Sequence, residues 1–227
     1  MVLIVLIAIG ALILFGPNLW VSYVLKKYNR NPESNFPGTG GELARHLLDR
    51  FDLQSVKVVV TKAGDHYNPR DRSVALTQDK YDGKTLAAIV IAAHECGHAI
   101  QHARGETFFH LRQWLAQSAS TAQIVGSAML AVSPLFGALT LSPHVGLFSF
   151  AGAFLILGYG VLVQLITLPV EIDASFNKAL PLLVSGYLSE AQIQPSRQIL
   201  TAAALTYVAG TLFQLLNFWR WLVIFRR

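Results

Sequence analysis

The sequence is poor in charged residues and has no long run of basic residues. Only 14% of its 227 residues are charged, whereas 53% are hydrophobic. Ordinary soluble domains carry about 25% charged residues, so this composition argues against a typical soluble fold and favours membrane-spanning helices. The net charge of +5 is modest and the basic residues do not follow one another in a run, so nucleic acid is not expected as a partner.

Cysteine is almost absent, and acidic residues are missing from both ends of the chain. The single Cys96 excludes an intrachain disulfide. All thirteen acidic residues lie between Glu33 and Glu190. Cys96 follows His94 by two residues, about 200° around a helix, so we expect it to fill a small buried space rather than bind a metal.

Four apolar stretches, residues 2–25, 119–141, 145–168 and 200–218, are each near the ~20 residues that a spanning helix requires. The first lacks a basic start and is followed by Lys26 and Lys27, which favours an uncleaved anchor with its N-terminus outside. The sequence therefore predicts a mainly α membrane protein with about four transmembrane helices.

The basic residues predict the orientation of these helices. Residues 26–115 hold thirteen of the eighteen lysines and arginines, so the positive-inside rule predicts that this region faces the cytoplasm. Two further crossings return residues 169–199 to the same side. Arg220, Arg226 and Arg227 disagree with a fourth full crossing, so the last segment could instead be re-entrant or interfacial.

The predicted organisation has five parts. Residues 1–25 form an anchor, 26–115 a catalytic region, 116–168 a transmembrane hairpin, 169–199 a cytoplasmic segment and 200–227 a C-terminal transmembrane helix. The catalytic region is predicted to be a small α+β unit: a helix that begins with a Thr39–Glu42 capping box, short strands at 56–61 and 73–77, a turn-rich loop at 65–71, and a helix over 84–104. Gly105 is the expected C-cap of that last helix.

The pattern His-Glu-x-x-His at residues 94–98 is the most informative motif. Residues four apart lie on one helix face, so His94 and His98 can bind a single metal ion, usually zinc. Glu95 lies beside the ion without having to bind it, where a general base for a zinc-bound water is needed. The motif thus predicts zinc-dependent hydrolysis.

A catalytic zinc usually takes a third protein ligand, and four residues are candidates. His102 is eight residues from His94, about 12 Å along a helix, so a structural or supporting role is more consistent with its position. His66 and His110 lack supporting spacing. Glu171 follows Pro169 at the predicted cytoplasmic end of the third span, where it would begin a new helix, and the two intervening crossings bring it to the same side as His98.

Three segments together carry a family resemblance. AAHECGHAIQH, LPVEIDAS and HYNPRDRSVALT resemble segments of the bacterial YugP-like neutral zinc metallopeptidases, and more distantly the HtpX-type membrane gluzincins. The resemblance implies a zincin-like unit in the bacterial plasma membrane, with one Zn2+ bound by His94, His98 and Glu171, and Glu95 as the catalytic base. Where related gluzincins have Asp four residues after the ligand Glu, this chain has Ser175, with Asp173 as the nearest acid.

The expected function is hydrolysis of peptide bonds in a protein or peptide substrate at the cytoplasmic face of the bilayer. Ser73–Thr77 is either an edge strand that pairs with the substrate or simply part of a small sheet. His66 or Tyr67 is a candidate for steadying the oxyanion. Two alternatives remain open at this point: an intramembrane site-2-type zinc protease, and a non-enzymatic membrane adaptor with a structural zinc.

Overall fold

The fold is mostly helical, with one three-stranded sheet. A computed structural model describes residues 2–30, 36–140 and 144–205. Its elements in chain order are α1 (Val2–Arg30), α2 (Gly40–Arg50), β1 (Lys57–Thr61), β2 (His66–Asn68), β3 (Ser73–Thr77), α3 (Gln78–Tyr81), α4 (Leu86–Ala103), α5 (Thr107–Thr140), α6 (His144–Ile172), a π-helical segment (Asp173–Ala179), α7 (Leu180–Val184) and α8 (190–205). The predicted helical fold with a small α+β unit is confirmed.

Helix α4 is the central element of the fold. Thr85 caps its start by accepting a hydrogen bond from the backbone N–H of Ala88, and Gly105 follows its end with a φ of 65°. Every residue from Leu86 to Gln101 is buried, because α4 packs against α2, β3 and the π-helical segment. The predicted helix and its glycine cap are confirmed.

Helix α2 begins at the predicted capping box. The Thr39 hydroxyl accepts from the backbone N–H of Glu42, and the Glu42 carboxylate accepts from the backbone N–H of Thr39. Leu43, Leu47 and Leu48 on the inner face of α2 are buried in the core shared with α4. This packing holds α4 from the side opposite to the candidate site.

The sheet has the strand order β1–β3–β2, with β1 parallel and β2 antiparallel to β3. Of the two interpretations of Ser73–Thr77, the edge strand is wrong and the strand within a small sheet is right, since β3 lies in the middle with Ser73 to Leu76 buried. The sequence did not reveal this because β2 has only three residues, too few for a recognisable strand pattern. The edges are β1 and β2.

Helices α5 and α6 pack antiparallel along much of their length. Gly126 and Gly152 meet where the helices are closest, because a Cβ added to Gly126 would lie 2.7 Å from the Gly152 carbonyl oxygen. Ser133 and Ser149 share a hydrogen bond of 2.6 Å further along the pair. The transmembrane hairpin at 116–168 stays a prediction: two helices pack together in this region, and its turn at 141–143 lies outside the described residues.

The helix before Glu171 does not end at Pro169 as predicted. Helix α6 continues through Pro169 to Ile172 and passes directly into the π-helical segment. A single proline removes one backbone hydrogen bond and bends a helix, but packing on both sides can hold the helix together. Glu171 is thus near the end of a long helix, not at the start of a new one.

One stretch of the described chain, Gly158–Val184, is long and apolar enough to cross a membrane on length and composition. Most of the predicted fourth span lies beyond residue 205, outside the described residues. Helix α1 is continuous from Val2 to Arg30 and passes through Pro17. Its C-terminal end is joined to the rest of the fold, because Asn29 accepts a hydrogen bond from Lys80 and donates one to Asp79.

Candidate metal centre

His94 and His98 lie one turn apart on the same face of α4, as their spacing predicts. Their ring centroids are 4.8 Å apart, and both side chains are buried. Burial in the central helix fixes the two rings before any ion binds, because neither can move without disturbing the core. The pair therefore forms one rigid side of a possible metal site.

Glu171 completes a set of three candidate ligands from the far end of α6. Its Oε2 atom lies 3.2 Å from Nε2 of His94 and 3.3 Å from Nε2 of His98. The approach depends on Gly97, between the two histidines, because a Cβ there would lie 2.8 Å from the Ala174 carbonyl oxygen. Gly97 thus permits the backbone after Glu171 to lie directly against α4.

The surroundings of Glu171 fit a bound cation. Both carboxylate oxygens are buried and have no hydrogen-bond partner in the described structure. An ionised carboxylate is costly to bury; the Arg112 guanidinium lies 3.3 Å from Oε1, whereas Oε2 faces the two imidazoles, so a cation between Oε2 and the imidazoles fits the position. The candidate ligand atoms of His94, His98 and Glu171 lie within 4.8 Å of one another. Two imidazoles and one carboxylate form a donor set used by catalytic zinc, which keeps a position for water.

Each imidazole has a neutral acceptor for its second nitrogen. Nδ1 of His94 lies 3.1 Å from Oγ of Ser175, and Nδ1 of His98 lies 2.9 Å from Oε1 of Gln101. Because Nε2 of both rings faces Glu171, the ligating tautomer carries its hydrogen on Nδ1 and donates it to these oxygens. Ser175 and Gln101 therefore fix both the tautomer and the orientation of the rings.

Asp173 supports the site indirectly. The Gln101 amide donates to Oδ2 of Asp173 at 2.8 Å and to the carbonyl of Val170 at 2.9 Å. Lys178 donates to Asp173 as well, and its Nζ is 2.8 Å from Oε1 of Glu106. Asp173 thus reaches His98 through Gln101, which explains how an acid two residues after Glu171 can belong to the site.

Glu95 lies in the wall of the cavity that the ligands face. The cavity has a volume of about 350 Å³. It is lined by Leu25, Asp65, His66, Tyr67, Pro69, Ile91, His94, Glu95, His98, Phe109, Arg112, Gln113, Ala116, Glu171 and Ala203. Burial raises the pKa of Glu95 to about 7; His94 opposes this shift, whereas Glu171 and Asp65 add to it. A carboxyl group that changes charge near neutrality is suited to accept and return a proton.

Comparison with known proteins identifies the family. Residues 3–226 match the family described as "Putative neutral zinc metallopeptidase". The chain belongs to this family. It is also 35% identical over 217 residues to the "Putative membrane protease YugP" of Bacillus subtilis (strain 168), a match that covers 92% of each chain. No solved structure matches the chain.

In this neutral zinc metallopeptidase family member, β2 brings His66 and Tyr67 to the cavity. Nδ1 of His66 lies 2.8 Å from the carbonyl oxygen of Gly64, so Nδ1 carries a hydrogen and donates it to that oxygen. Nε2 is then the ring nitrogen that remains for other hydrogen bonds. The Tyr67 hydroxyl lies 2.8 Å from Nδ1 of His102. Both oxyanion candidates thus have a polar partner outside the candidate ligand set, His66 through Nδ1 and Tyr67 through its hydroxyl.

His102 and His110 lie together next to the site and outside the ligand set. The His102 ring stacks on Phe109 with centroids 5.4 Å apart, and its edge meets the His110 ring at 5.7 Å. Burial lowers the pKa of His102, and the charges of His110 and Arg72 act in the same direction. His102 therefore supports Tyr67 and the cavity wall, in keeping with its distance from His94 along α4.

Sequence reasoning gave no role to three residues of the site, although it noted Ser175 as the residue in place of the Asp of gluzincins. Gln101 lies three residues after His98 and Ser175 lies four after Glu171, so helical spacing alone would have placed each near a ligand. Arg112, whose Nη2 is 3.3 Å from Oε1 of Glu171, has no such signal because it is on a different helix, α5.

Proposed function

We propose that the protein is a membrane-bound zinc endopeptidase whose active site is the His94–His98–Glu171 centre. The observation that carries this proposal is the meeting of three buried ligands and Glu95 at one cavity, together with a buried carboxylate that has no hydrogen-bond partner in the described chain. Family membership and the membrane-protease relative support the same conclusion.

The chain supplies the groups that peptide hydrolysis requires. Zinc at the three ligands would polarise the substrate carbonyl and lower the pKa of a bound water. Glu95 accepts the proton of the attacking water and delivers it to the leaving amine. Ser175 and Gln101 hold the two imidazoles in the ligating tautomer throughout. His66, on the cavity wall with its Nδ1 hydrogen bonded to Gly64, is the candidate for stabilising the oxyanion; it can donate through Nε2 only as the imidazolium, which carries a hydrogen on both ring nitrogens.

The substrate is proposed to bind as an extended strand beside β2. This strand pairs with β3 on one side only, and two of its three residues, His66 and Tyr67, line the cavity. A free strand edge next to a hydrolytic centre can pair with a peptide backbone and present its scissile bond. Thr77 hydrogen bonds to the carboxylate of Asp65 at 2.6 and 2.9 Å, which fixes the loop that leads into β2.

The site is proposed to lie at the cytoplasmic face of the plasma membrane. Helices α5 and α6 expose large apolar side chains on their outer surfaces, such as Ile124, Leu147 and Leu165, each more than 60% exposed. Such surfaces are unfavourable in water and suited to lipid. The proposal keeps four spans at 2–25, 119–141, 145–168 and 200–218, which places 26–115 and 169–199 on the same side.

One observation favours a second candidate function, an intramembrane protease. Glu171 belongs to the apolar stretch Gly158–Val184, so the metal would lie deeper in the bilayer if that whole stretch crossed it. Two features weigh against this depth. Lys80, Asp82 and Lys84 lie just before α4, and Asp173 and Lys178 form ion pairs within the stretch itself.

The decisive experiment uses full-length protein purified in detergent. We expect about one zinc per chain and cleavage of quenched fluorescent peptides that a chelator abolishes. Glu95→Gln should keep its zinc and lose cleavage, whereas Glu190→Gln, a change at an exposed glutamate, should behave as wild type. Protein without zinc, or full activity in Glu95→Gln, would overturn the proposed function.

A further inference from the structure

Arg112 on α5 touches the carboxylate of Glu171 from the side opposite to the imidazoles. Its Nη2 atom lies 3.3 Å from Oε1, while Oε2 faces Nε2 of His94 and of His98. The two oxygens of one carboxylate therefore face different cations: the guanidinium on one side and the metal position on the other. This division would make Glu171 a ligand through Oε2 alone.

We propose that Arg112 is a positioning residue that holds Glu171 in its ligating orientation. The role rests on the proposed function, since it presumes that Glu171 binds zinc. The side chain of Glu171 is only 1% exposed, and in the described structure neither oxygen accepts a hydrogen bond that would fix its rotation. The Arg112 contact at Oε1 thus leaves Oε2 to face the two imidazoles.

Electrostatics supports a positioning role over a purely structural one. A guanidinium next to a divalent cation is repelled unless an anion lies between the two, and Glu171 occupies that place. The Arg112 side chain is 23% exposed and lines the cavity, so the salt bridge is partly shielded from water. Arg112 lies on α5, whereas His94 and His98 lie on α4 and Glu171 lies on α6. The contact therefore joins a third helix to the candidate metal centre.

The test measures zinc affinity in the full-length protein, by competition with a chelating dye. Arg112→Met removes the cation and keeps much of the side-chain volume. Loss of a group that orients a ligand typically weakens metal binding about 10- to 100-fold, and we expect a loss in this range. Arg112→Lys keeps the charge without the planar fork, and it should restore part of the affinity. Arg104→Met makes the same change at the exposed end of α4 and should bind zinc as wild type does.

Each outcome has a defined meaning. Wild-type zinc affinity in Arg112→Met would overturn the proposal, even if cleavage were lost, because Arg112 would then act on the substrate and not through Glu171. If Arg112→Met does not fold, the lysine variant decides: reduced zinc affinity supports the role and unchanged affinity overturns it. Failure of the wild-type protein to bind zinc would instead overturn the proposed function itself, and this role with it.

Discussion

The hydroxyl of Ser175 lies 3.1 Å from Nδ1 of His94. It accepts the imidazole hydrogen and donates its own to the carbonyl of Leu200 at 3.4 Å. His94, a proposed zinc ligand, is thus joined through one serine to helix α8. A neutral hydroxyl orients the ring as a carboxylate would, without adding a negative charge to the buried site.

Ser175→Ala should weaken zinc binding. The substitution leaves the Nδ1 hydrogen of His94 buried without an acceptor, so a loss of about 10- to 100-fold in affinity is expected. Chelator competition on the purified protein measures it. Ser185→Ala removes an exposed hydroxyl that bonds only to the backbone in the same region, and it should not change zinc affinity. Equal affinities for the two variants would contradict the role of Ser175.

Gln101→Met should affect both zinc binding and stability. Gln101 is 1% exposed and joins His98, Val170 and Asp173, so a methionine would leave the buried Nδ1 of His98 without its acceptor and the Val170 carbonyl without this donor, whereas Asp173 keeps its bonds to Asn177 and Lys178. Each unsatisfied group costs about 1–3 kcal/mol. Thermal unfolding of the metal-free and zinc-loaded protein measures the two effects. Gln117→Met, at an exposed position of α5, serves as control. A Gln101→Met variant as stable as this control would show that the hydrogen bonds of Gln101 are dispensable.

Gly97→Ala should destabilise the protein although alanine is the better helix former by about 1 kcal/mol. The added methyl would lie 2.8 Å from the Ala174 carbonyl oxygen, which belongs to backbone and cannot move without the π-helical segment. A cost of about 1–3 kcal/mol is expected, together with weaker zinc binding because Glu171 and Ser175 shift. Denaturant unfolding and zinc titration measure these two effects. A more stable variant would mean that α4 and the segment are not in close contact.

Cys96 should be inert to thiol reagents in the folded protein. It is fully buried, its Sγ lies 3.6 Å from the carbonyl of Ala44, and burial raises the pKa of the thiol. Maleimide should therefore modify one thiol per chain only after denaturation in detergent. Rapid labelling of the native protein would show that the core around α4 opens readily.

The inert Cys96 permits a test of topology with single added cysteines. Lys57→Cys and Ser189→Cys lie on exposed positions of the two regions proposed to face the cytoplasm. In intact bacterial cells an impermeant maleimide should label neither, and after permeabilisation it should label both. Labelling of one site from outside would contradict the two crossings between them, whereas labelling of both would reverse the proposed orientation.

Local features of the fold were readable from the sequence. The Thr39 capping box, the helix that ends before Gly105, and the two strands with β-branched residues depend on neighbours within one or two turns. Such interactions are set by residues close in the chain, so their spacing is sufficient to recognise them. The separation of His94 from His98 belongs to the same class, because it is fixed by the helical repeat alone.

Tertiary structure decided what lies opposite those histidines. Glu171 reaches them because Gly97 lets α4 and the π-helical segment touch, and α6 passes through Pro169 where the sequence predicted a break. The central position of β3 and the approach of Arg112 also depend on which elements pack together. Residues 69 to 81 positions apart in the chain meet here through packing in the core, and no local periodicity records that packing.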